Sequence, residues 1–229
     1  MPDHAPKAEL LRSLGRLVRG LSALFWGLPL ALFVCVKIAT VEWMQPQFIA
    51  APVAGTLLIF YGLALLSDFQ KQERVWHHAL DRAKLIAIIN IGLSPFCFWW
   101  GRLPNVVFYN IAVGILFVSG MLFIFNLNLV LQRLAAMLPD ETLRSESRVF
   151  GNLNRTLLLV VLGGLAIYTV LEQVPSLPDG LVKVLLVLEF LKPIVFAVFA
   201  LLILIPLAMT MTLIWKIKEA IFSSVFGAE

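Results

Sequence analysis

The chain has 229 residues, of which 60% are hydrophobic and only 14% are charged, and its formal net charge is +4. A soluble fold could not cover so much apolar surface, whereas a lipid bilayer accepts an apolar exterior when every backbone polar group is paired inside a helix or a closed barrel. The basic residues are scattered through the loops rather than gathered into a dense run, which indicates membrane topology and not a nucleic-acid partner.

Six apolar runs follow one another along the chain, each close to the ~20 residues that a helix needs to cross a bilayer. They cover residues 21–36, 48–66, 85–100, 106–131, 156–171 and 193–215. Unbroken runs of this length favour helices over a β-barrel. The first run lacks an A-x-A type cleavage site and leads into further runs, so it is interpreted as an uncleaved span. We therefore predict an all-α integral membrane protein, a bundle of about six transmembrane helices over residues 21–215 with interfacial amphipathic helices on the cytoplasmic side.

The basic residues predict the orientation of the bundle. All but four of the 18 Lys and Arg residues lie in the two tails and in alternate loops; the others are Lys37, Arg102, Lys183 and Lys192. Because cytoplasmic loops carry the excess of Lys and Arg, this asymmetry places both termini in the cytoplasm. Residues 1–20 are then a cytoplasmic N-terminal helix and residues 216–229 a cytoplasmic tail, in a cell membrane that we expect to be a bacterial inner membrane.

Three segments on the predicted cytoplasmic side are amphipathic. In residues 10–21, leucine and valine share one helical face opposite three arginines, which suits a helix lying on the anionic inner leaflet. Residues 69–83 and 140–153 repeat the pattern, and Asp140 is a typical N-cap for the last segment. Two interpretations remain open: interfacial helices that rest on anionic lipid, or a cytoplasmic docking surface for a partner protein.

Glu73, His77 and Asp81 are spaced four residues apart, which places three potential metal ligands along one face of a helix. Glu73 and Asp81 would be about 12 Å apart at 1.5 Å per residue, too far to share one ion without a ligand from elsewhere. Neighbouring arginines favour the alternative, a solvated face with ion pairs. No histidine lies within a predicted span, so the sequence predicts no haem and no other cofactor.

Cys35 and Cys97 both lie inside predicted spans, near the predicted outer ends. The sequence has no C-x-x-C pair and so carries no redox or zinc signature. Two interpretations stay open: two small buried side chains, or a disulfide between the first and third spans, for which the Cα atoms would have to be about 4.4–6.8 Å apart.

The third and fourth spans contain polar residues, namely Asn90, Ser94, Asn110, Ser119, Asn126 and Asn128. Such groups usually face other helices, where an interhelical hydrogen bond contributes about 0.6–2 kcal/mol. The alternative is a polar permeation path through the bundle. Small residues also predict close helix contacts, at Ala51 with Gly55 and at Gly163 with Gly164.

The last apolar stretch, residues 181–215, would be about 52 Å long as a single helix, more than a ~30 Å hydrocarbon core requires. Pro193 predicts a break, since proline disfavours helical geometry in the residue before it and suits the first turn of a new helix. Pro206 predicts a kink. Glu189 and Lys192 would then form a pair, either in a structural elbow at the interface or in a re-entrant half-helix that lines a cavity.

The sequence contains no catalytic motif of the G-x-S-x-G, H-E-x-x-H, Walker A or G-x-G-x-x-G type. The first five spans also carry essentially no ionisable residue, which argues against ion-coupled transport. We therefore expect a non-enzymatic accessory, scaffold or assembly subunit of a membrane complex, with a protein partner or a second copy of itself in the bilayer. The alternative is a small transporter or channel-forming protomer.

Overall fold

The computed structural model describes residues 4–40, 46–69, 73–103, 105–138, 140–173 and 192–226. Every regular element in these ranges is a helix, which confirms the all-α prediction for them. In chain order the elements are α1 (His4–Thr40), a 3-10 helix (Pro46–Ile49), α2 (Ala50–Leu66), α3 (Arg74–Leu93), α4 (Phe96–Arg102), α5 (Val107–Met137), α6 (Glu141–Gln173) and α7 (Lys192–Phe226).

Five stretches of these helices are long and apolar enough to cross a membrane. They are Arg12–Thr40 in α1, Arg74–Arg102 across α3 and α4, Val107–Met137 in α5, Glu141–Ile167 in α6 and Ala200–Ser223 in α7. The helix α2 is also apolar, but with 17 residues it falls short of that length. Five of the six predicted spans therefore have a helix of spanning length, and the second has a shorter one.

The amphipathic segments are parts of longer helices rather than separate elements. Residues 10–21 belong to α1, which continues through the first apolar run, so the boundary predicted at residue 20 falls inside a helix. The reason is that no proline separates the two parts and Gly20 is packed tightly against α2. Most of residues 69–83 form the first half of α3, and α7 extends into the predicted tail at 216–229.

Asp140 begins α6, as the sequence predicts. Its Oδ1 accepts hydrogen bonds from the backbone N–H of Thr142 over 2.9 Å and from that of Leu143 over 3.1 Å. These two N–H groups lie in the first turn and have no carbonyl partner within the helix. From this cap, α6 runs through the third amphipathic segment and the fifth predicted span without interruption.

The helices α1 and α2 pack antiparallel along a seam of small residues. Gly20 lies against Gly62, and Gly55 lies against Ala31, so the close contact predicted at Gly55 is present. A Cβ atom at Gly20 would be 2.8 Å from the carbonyl oxygen of Gly62, and one at Gly62 would be 2.9 Å from that of Gly20. Only glycine lets two helix backbones approach this closely.

The remaining helices complete a bundle around this pair. The helix α1 also contacts α4 and α7, α3 lies between α2 and α5, and α6 packs against α5 and α7. The largest group of buried apolar side chains joins α1, α2, α3, α5, α6 and α7, and it includes the fully buried Trp76, Leu80, Leu134 and Ile217. It extends along the α1–α2 pair as far as Ala31 and begins at the end of the bundle where α2 leads into α3 and α5 leads into α6.

Two ion pairs lie at this same end. Arg16 of α1 pairs with Asp68, which follows α2, and Lys216 of α7 pairs with Glu146 of α6. The four side chains are between 36% and 44% exposed, so each pair adds little to stability. The two pairs show instead how the helices are oriented. The first part of α1 lies beside the end of α2, and the first part of α6 lies beside the last part of α7.

The described part of α7 begins at Lys192 and contains Pro193 in its first turn. Pro206 is buried inside the helix, which continues across it. The side chain of Lys192 and residues 181–191, including Glu189, lie outside the part of the chain that the structure describes. The predicted pair and the predicted elbow therefore stay predictions.

Candidate functional site

Three buried polar side chains from three helices meet between α5, α6 and α7. Asn128 of α5, Asn154 of α6 and Thr210 of α7 are 4%, 1% and 0% exposed. The Nδ2 of Asn128 donates a hydrogen bond to the hydroxyl oxygen of Thr210 over 2.9 Å, and the Nδ2 of Asn154 donates to the same oxygen over 3.1 Å. One hydroxyl group thus joins three helices. These three residues are referred to below as the Asn–Thr cluster.

The carbonyl group of Pro206 extends the Asn–Thr cluster. The Thr210 hydroxyl donates to this carbonyl over 2.8 Å, a bond that threonine in a helix commonly makes to the residue four positions earlier. The Nδ2 of Asn154 also donates to it, over 3.3 Å. Because a carbonyl oxygen only accepts hydrogen bonds, the Asn154 amide must present its nitrogen to Pro206, which directs its Oδ1 elsewhere.

The Oδ1 of Asn154 is buried and has no hydrogen-bond partner among the described residues. Buried polar atoms are nearly always paired, and an unpaired acceptor costs on the order of 1–3 kcal/mol. The Nδ2 of Asn128, like that of Asn154, donates twice: to Thr210 and, over 2.8 Å, to the carbonyl of Ile124. The Asn–Thr cluster therefore holds its three helices together while presenting one acceptor that needs a donor.

A cavity of about 140 Å³ lies beside the Asn–Thr cluster, between α5 and α6. The end of the Gln132 side chain occupies the position that a Cβ atom of Gly151 would take, so this side chain would have to move if the residue were not glycine. The guanidinium carbon of Arg155 is 5.9 Å from the centre of the Phe125 ring, within cation–π range. Amide groups and one cation thus face apolar side chains in a lining formed by Phe125, Asn128, Leu129, Gln132, Gly151, Asn152, Asn154, Arg155 and Leu158.

The four asparagines singled out from the sequence have four different environments. Asn128 belongs to the Asn–Thr cluster, whereas Asn126 donates to the Leu122 carbonyl of its own helix over 2.8 Å. The Oδ1 of Asn110, an exposed residue near the start of α5, accepts a hydrogen bond of 2.7 Å from the indole Nε1 of Trp100. Asn90 is buried in α3, and its Oδ1 has no partner in the described ranges. They do not line one common path.

Glu73, His77 and Asp81 do not converge on a metal site. Glu73 precedes α3, and its carbonyl accepts the backbone N–H of His77 over 3.2 Å. Asp81 instead lies 3.9 Å from Lys84 in an ion pair, with 66% of its side chain exposed. Within the ranges that the structure describes, no three His, Cys, Asp or Glu side chains are grouped so as to hold a metal ion.

Cys35 and Cys97 are brought together where α1 packs against α4. Their thiols are free and lie within hydrogen-bonding distance of each other. One turn further along both helices, Gly101 lies so close to Ala39 that a Cβ atom on it would be 3.0 Å from the Ala39 carbonyl carbon. The two contacts show that α1 and α4 run side by side in the same direction, with the cysteines in register.

Four residues of the site were not singled out from the sequence: Gln132, Asn154, Arg155 and Thr210. A signal existed for Asn154, because it shares the buried face of α6 with Leu143, Ser147, Leu158 and Val161 at helical spacing. The residue fell between the predicted amphipathic segment, which ended at 153, and the predicted span, which began at 156. For Thr210 no such signal is present, since residues 193–209 of α7, which precede it, are all apolar.

The chemistry of this site is that of binding and positioning. The amides and the hydroxyl donate and accept hydrogen bonds, whereas the guanidinium only donates them and also attracts anions. Comparison of the chain with models of protein families, with curated proteins and with solved structures finds no match.

Proposed function

We propose that the chain is a non-enzymatic subunit of a membrane complex and that a helix of a partner protein packs against the exposed face of α6. The observation that carries this proposal is a stripe of polar, small and apolar residues on a helix of spanning length. The residues follow one another at a spacing of three or four, all are exposed, and they are referred to as the α6 stripe: Thr156, Val160, Gly163 and Ile167.

A partner helix suits the α6 stripe better than lipid does. Large apolar side chains serve a lipid-facing surface, whereas small residues let two helices approach closely and polar residues form hydrogen bonds between them. At Gly163 and the adjacent Gly164, a Cβ atom would meet no described atom within 4 Å. The close helix contact that these glycines predict is not made within the described chain. We propose that a helix of the partner makes this close contact.

The proposal includes six crossings of the cell membrane with both termini in the cytoplasm. The 17 residues of α2 contribute about 25 Å and the four residues of the preceding 3-10 helix about 8 Å, which together match a ~30 Å hydrocarbon core. The excess of Lys and Arg in the tails and alternate loops supports this orientation. A bacterial inner membrane is the compartment that we propose.

Photo-crosslinking from the α6 stripe tests the proposal in cells. A photoreactive amino acid at Val160, which is 55% exposed, is compared with one at Leu122, which is 44% exposed on α5. We expect a single heteromeric adduct from position 160 and none from position 122, and Gly163→Leu should abolish the adduct by blocking close approach. Identical adducts from both positions, or none from either, would contradict the assignment of the partner to α6.

A second candidate function is that of a small transporter or channel-forming protomer. The Asn–Thr cluster favours it, because the cluster places polar groups inside the bundle. Flux through liposomes that contain this chain alone distinguishes the two functions. A transporter predicts substrate-dependent flux that Asn128→Leu reduces, whereas a subunit predicts no flux above that of empty liposomes.

A further inference from the structure

The cavity between α5 and α6 is lined by a residue whose acceptor has no donor among the described residues. Asn154 lines the cavity and is 1% exposed, and its Oδ1 has no partner among the described residues. Its Nδ2 donates to the Thr210 hydroxyl and to the Pro206 carbonyl, and exchanging the two amide atoms would place two acceptor oxygens against each other at Pro206. A ligand in the cavity that carries a hydrogen-bond donor can supply the partner for this oxygen.

A cation that pairs with no carboxylate in the described ranges borders the same cavity. Arg155 follows Asn154 in α6, its side chain is exposed, and it forms no ion pair with any residue in the described ranges. A guanidinium presents several N–H donors in one plane and is well suited to bind phosphate. The amides of Gln132 and Asn152 add further polar groups to the lining. The site thus fits an anion that is joined to a hydrogen-bond donor.

The size of the cavity and its apolar wall further restrict the kinds of ligand that can bind there. A volume of about 140 Å³ is below the roughly 300–1,000 Å³ of pockets for drug-sized molecules, so the cavity suits a group of a few heavy atoms. Its wall includes Leu129, which is 39% exposed, and two helical turns away on the same face Leu122 is 44% exposed. These leucines lead from the cavity along the surface of α5, where a hydrocarbon chain can lie.

We propose that this cavity binds the headgroup of a phospholipid that carries a primary ammonium group. The phosphate lies at Arg155, the ammonium donates a hydrogen bond to the Oδ1 of Asn154, and the acyl chains follow Leu129 along α5. A phosphoethanolamine headgroup has this chemistry. A choline headgroup does not, because its trimethylammonium has no N–H to donate. The site goes beyond the proposed function, since it needs a lipid but no partner protein.

Lipid binding to the purified full-length chain in detergent tests this site. Four phospholipids with identical acyl chains are compared by displacement of a fluorescent ethanolamine lipid; their headgroups are ethanolamine, its N-methyl and N,N-dimethyl forms, and choline. We expect binding to persist while an N–H remains and to fall about tenfold at choline, the loss typical of one hydrogen bond to a charged group. Equal binding of all four lipids would overturn the proposal. This series leaves the protein unaltered, so impaired folding cannot account for the result.

Two further experiments test the contact between Arg155 and the phosphate, and whether the bound headgroup belongs to a lipid or to a free molecule. Arg155→Gln should weaken the ethanolamine lipid about tenfold, whereas Arg148→Gln, an exposed arginine of α6 outside the cavity lining, should leave it unchanged. Equal losses would indicate attraction to general surface charge and would contradict the site.

Free phosphoethanolamine should displace the probe only at far higher concentrations than the lipid; comparable potency would overturn the lipid assignment. Crosslinking from the α6 stripe tests the contact with the partner protein independently of these lipid-binding measurements.

Discussion

Thr210 uses its full hydrogen-bonding capacity at the centre of the bundle. Its hydroxyl accepts from Asn128 and Asn154 and donates to the carbonyl of Pro206, which fills its two acceptor positions and its single donor position. Hydrogen bonds of this kind are electrostatically stronger in a low-dielectric interior than in water. A single residue therefore couples α5, α6 and α7.

The substitution Thr210→Val tests that coupling. It keeps the branched shape but leaves the amide nitrogens of Asn128 and Asn154 without their shared acceptor, so we expect the free energy of unfolding in detergent to fall by about 1–3 kcal/mol. Thr212→Val is the matched control, because Thr212 is exposed and its hydroxyl bonds only to the Ala208 carbonyl of its own helix over 2.9 Å. Equal effects of the two substitutions would show that the cluster does not couple the helices.

The N-cap of α6 gives a prediction about pH. The pKa of Asp140 lies below its ordinary value of 3.8, because its carboxylate accepts hydrogen bonds from the Thr142 hydroxyl and from the backbone N–H groups of Leu143 and Thr142. A lowered folded pKa means that the stabilisation is fully present above the ordinary value and is lost as the pH falls through the folded value. We expect the advantage of the wild type over Asp140→Ala in thermal unfolding to be full at neutral pH and to shrink below pH 3.8.

The control for this pH effect is Asp140→Asn, which keeps an acceptor at the cap but cannot ionise. Its stability relative to Asp140→Ala should not change over the acidic range. If the wild type kept the same advantage over Asp140→Ala in acid as at neutral pH, ionisation of this carboxylate would not contribute to the cap.

At the level of helices, the glycine seam makes α1 and α2 the most closely packed pair. Gly62→Ala would place a methyl group 2.9 Å from the carbonyl oxygen of Gly20, and we expect it to destabilise the fold by about 1–3 kcal/mol, as overpacking typically does. At Gly92 of α3, a Cβ atom would meet no described atom within 4 Å. Gly92→Ala should therefore be neutral or stabilising by up to about 1 kcal/mol, since alanine is the better helix former. Indistinguishable unfolding midpoints for the two variants would contradict the seam.

The contact between α1 and α4 makes a chemical prediction. A small disulfide that enters the membrane should oxidise Cys35 and Cys97 to one intramolecular disulfide, while the reagent takes up the two electrons and two protons and is reduced to two thiols. We expect the intact mass of the chain to fall by two hydrogens, with no reagent attached. Cys97→Ser should instead retain the reagent as a mixed disulfide on Cys35. A wild-type chain that carried two reagent groups would show that the thiols are not adjacent.

The sequence predicts the starts of helices better than it predicts their contacts. Asp140 marks the start of α6 correctly because capping is a local property of the chain. The N-terminal amphipathic segment and the first apolar run form one continuous helix, and the packing of Gly20 against Gly62 across the seam cannot be seen in the local sequence. The roles of Asn154 and Thr210 depend on which faces meet in three helices that are distant in the sequence. No local sequence pattern shows which faces these are.

For the molecule as a whole, the ion pairs Arg16–Asp68 and Lys216–Glu146 lie at one end of the bundle. By the distribution of Lys and Arg this is the end that we propose to face the cytoplasm. The proposed function, the lipid site and the partner contact on α6 all assume six crossings with both termini on that side. This topology is therefore the central claim.

Single cysteines in a background without Cys35 and Cys97 test the topology most directly. We predict that cysteines replacing Gln45 and Ser176 react with a membrane-impermeant thiol reagent in intact cells, whereas those replacing Gln70 and Ser145 react only after the membrane is opened. The reverse pattern would invert the orientation. Labelling at both Gln45 and Gln70 in intact cells would mean that the second apolar run does not cross, and the six-helix topology would be wrong.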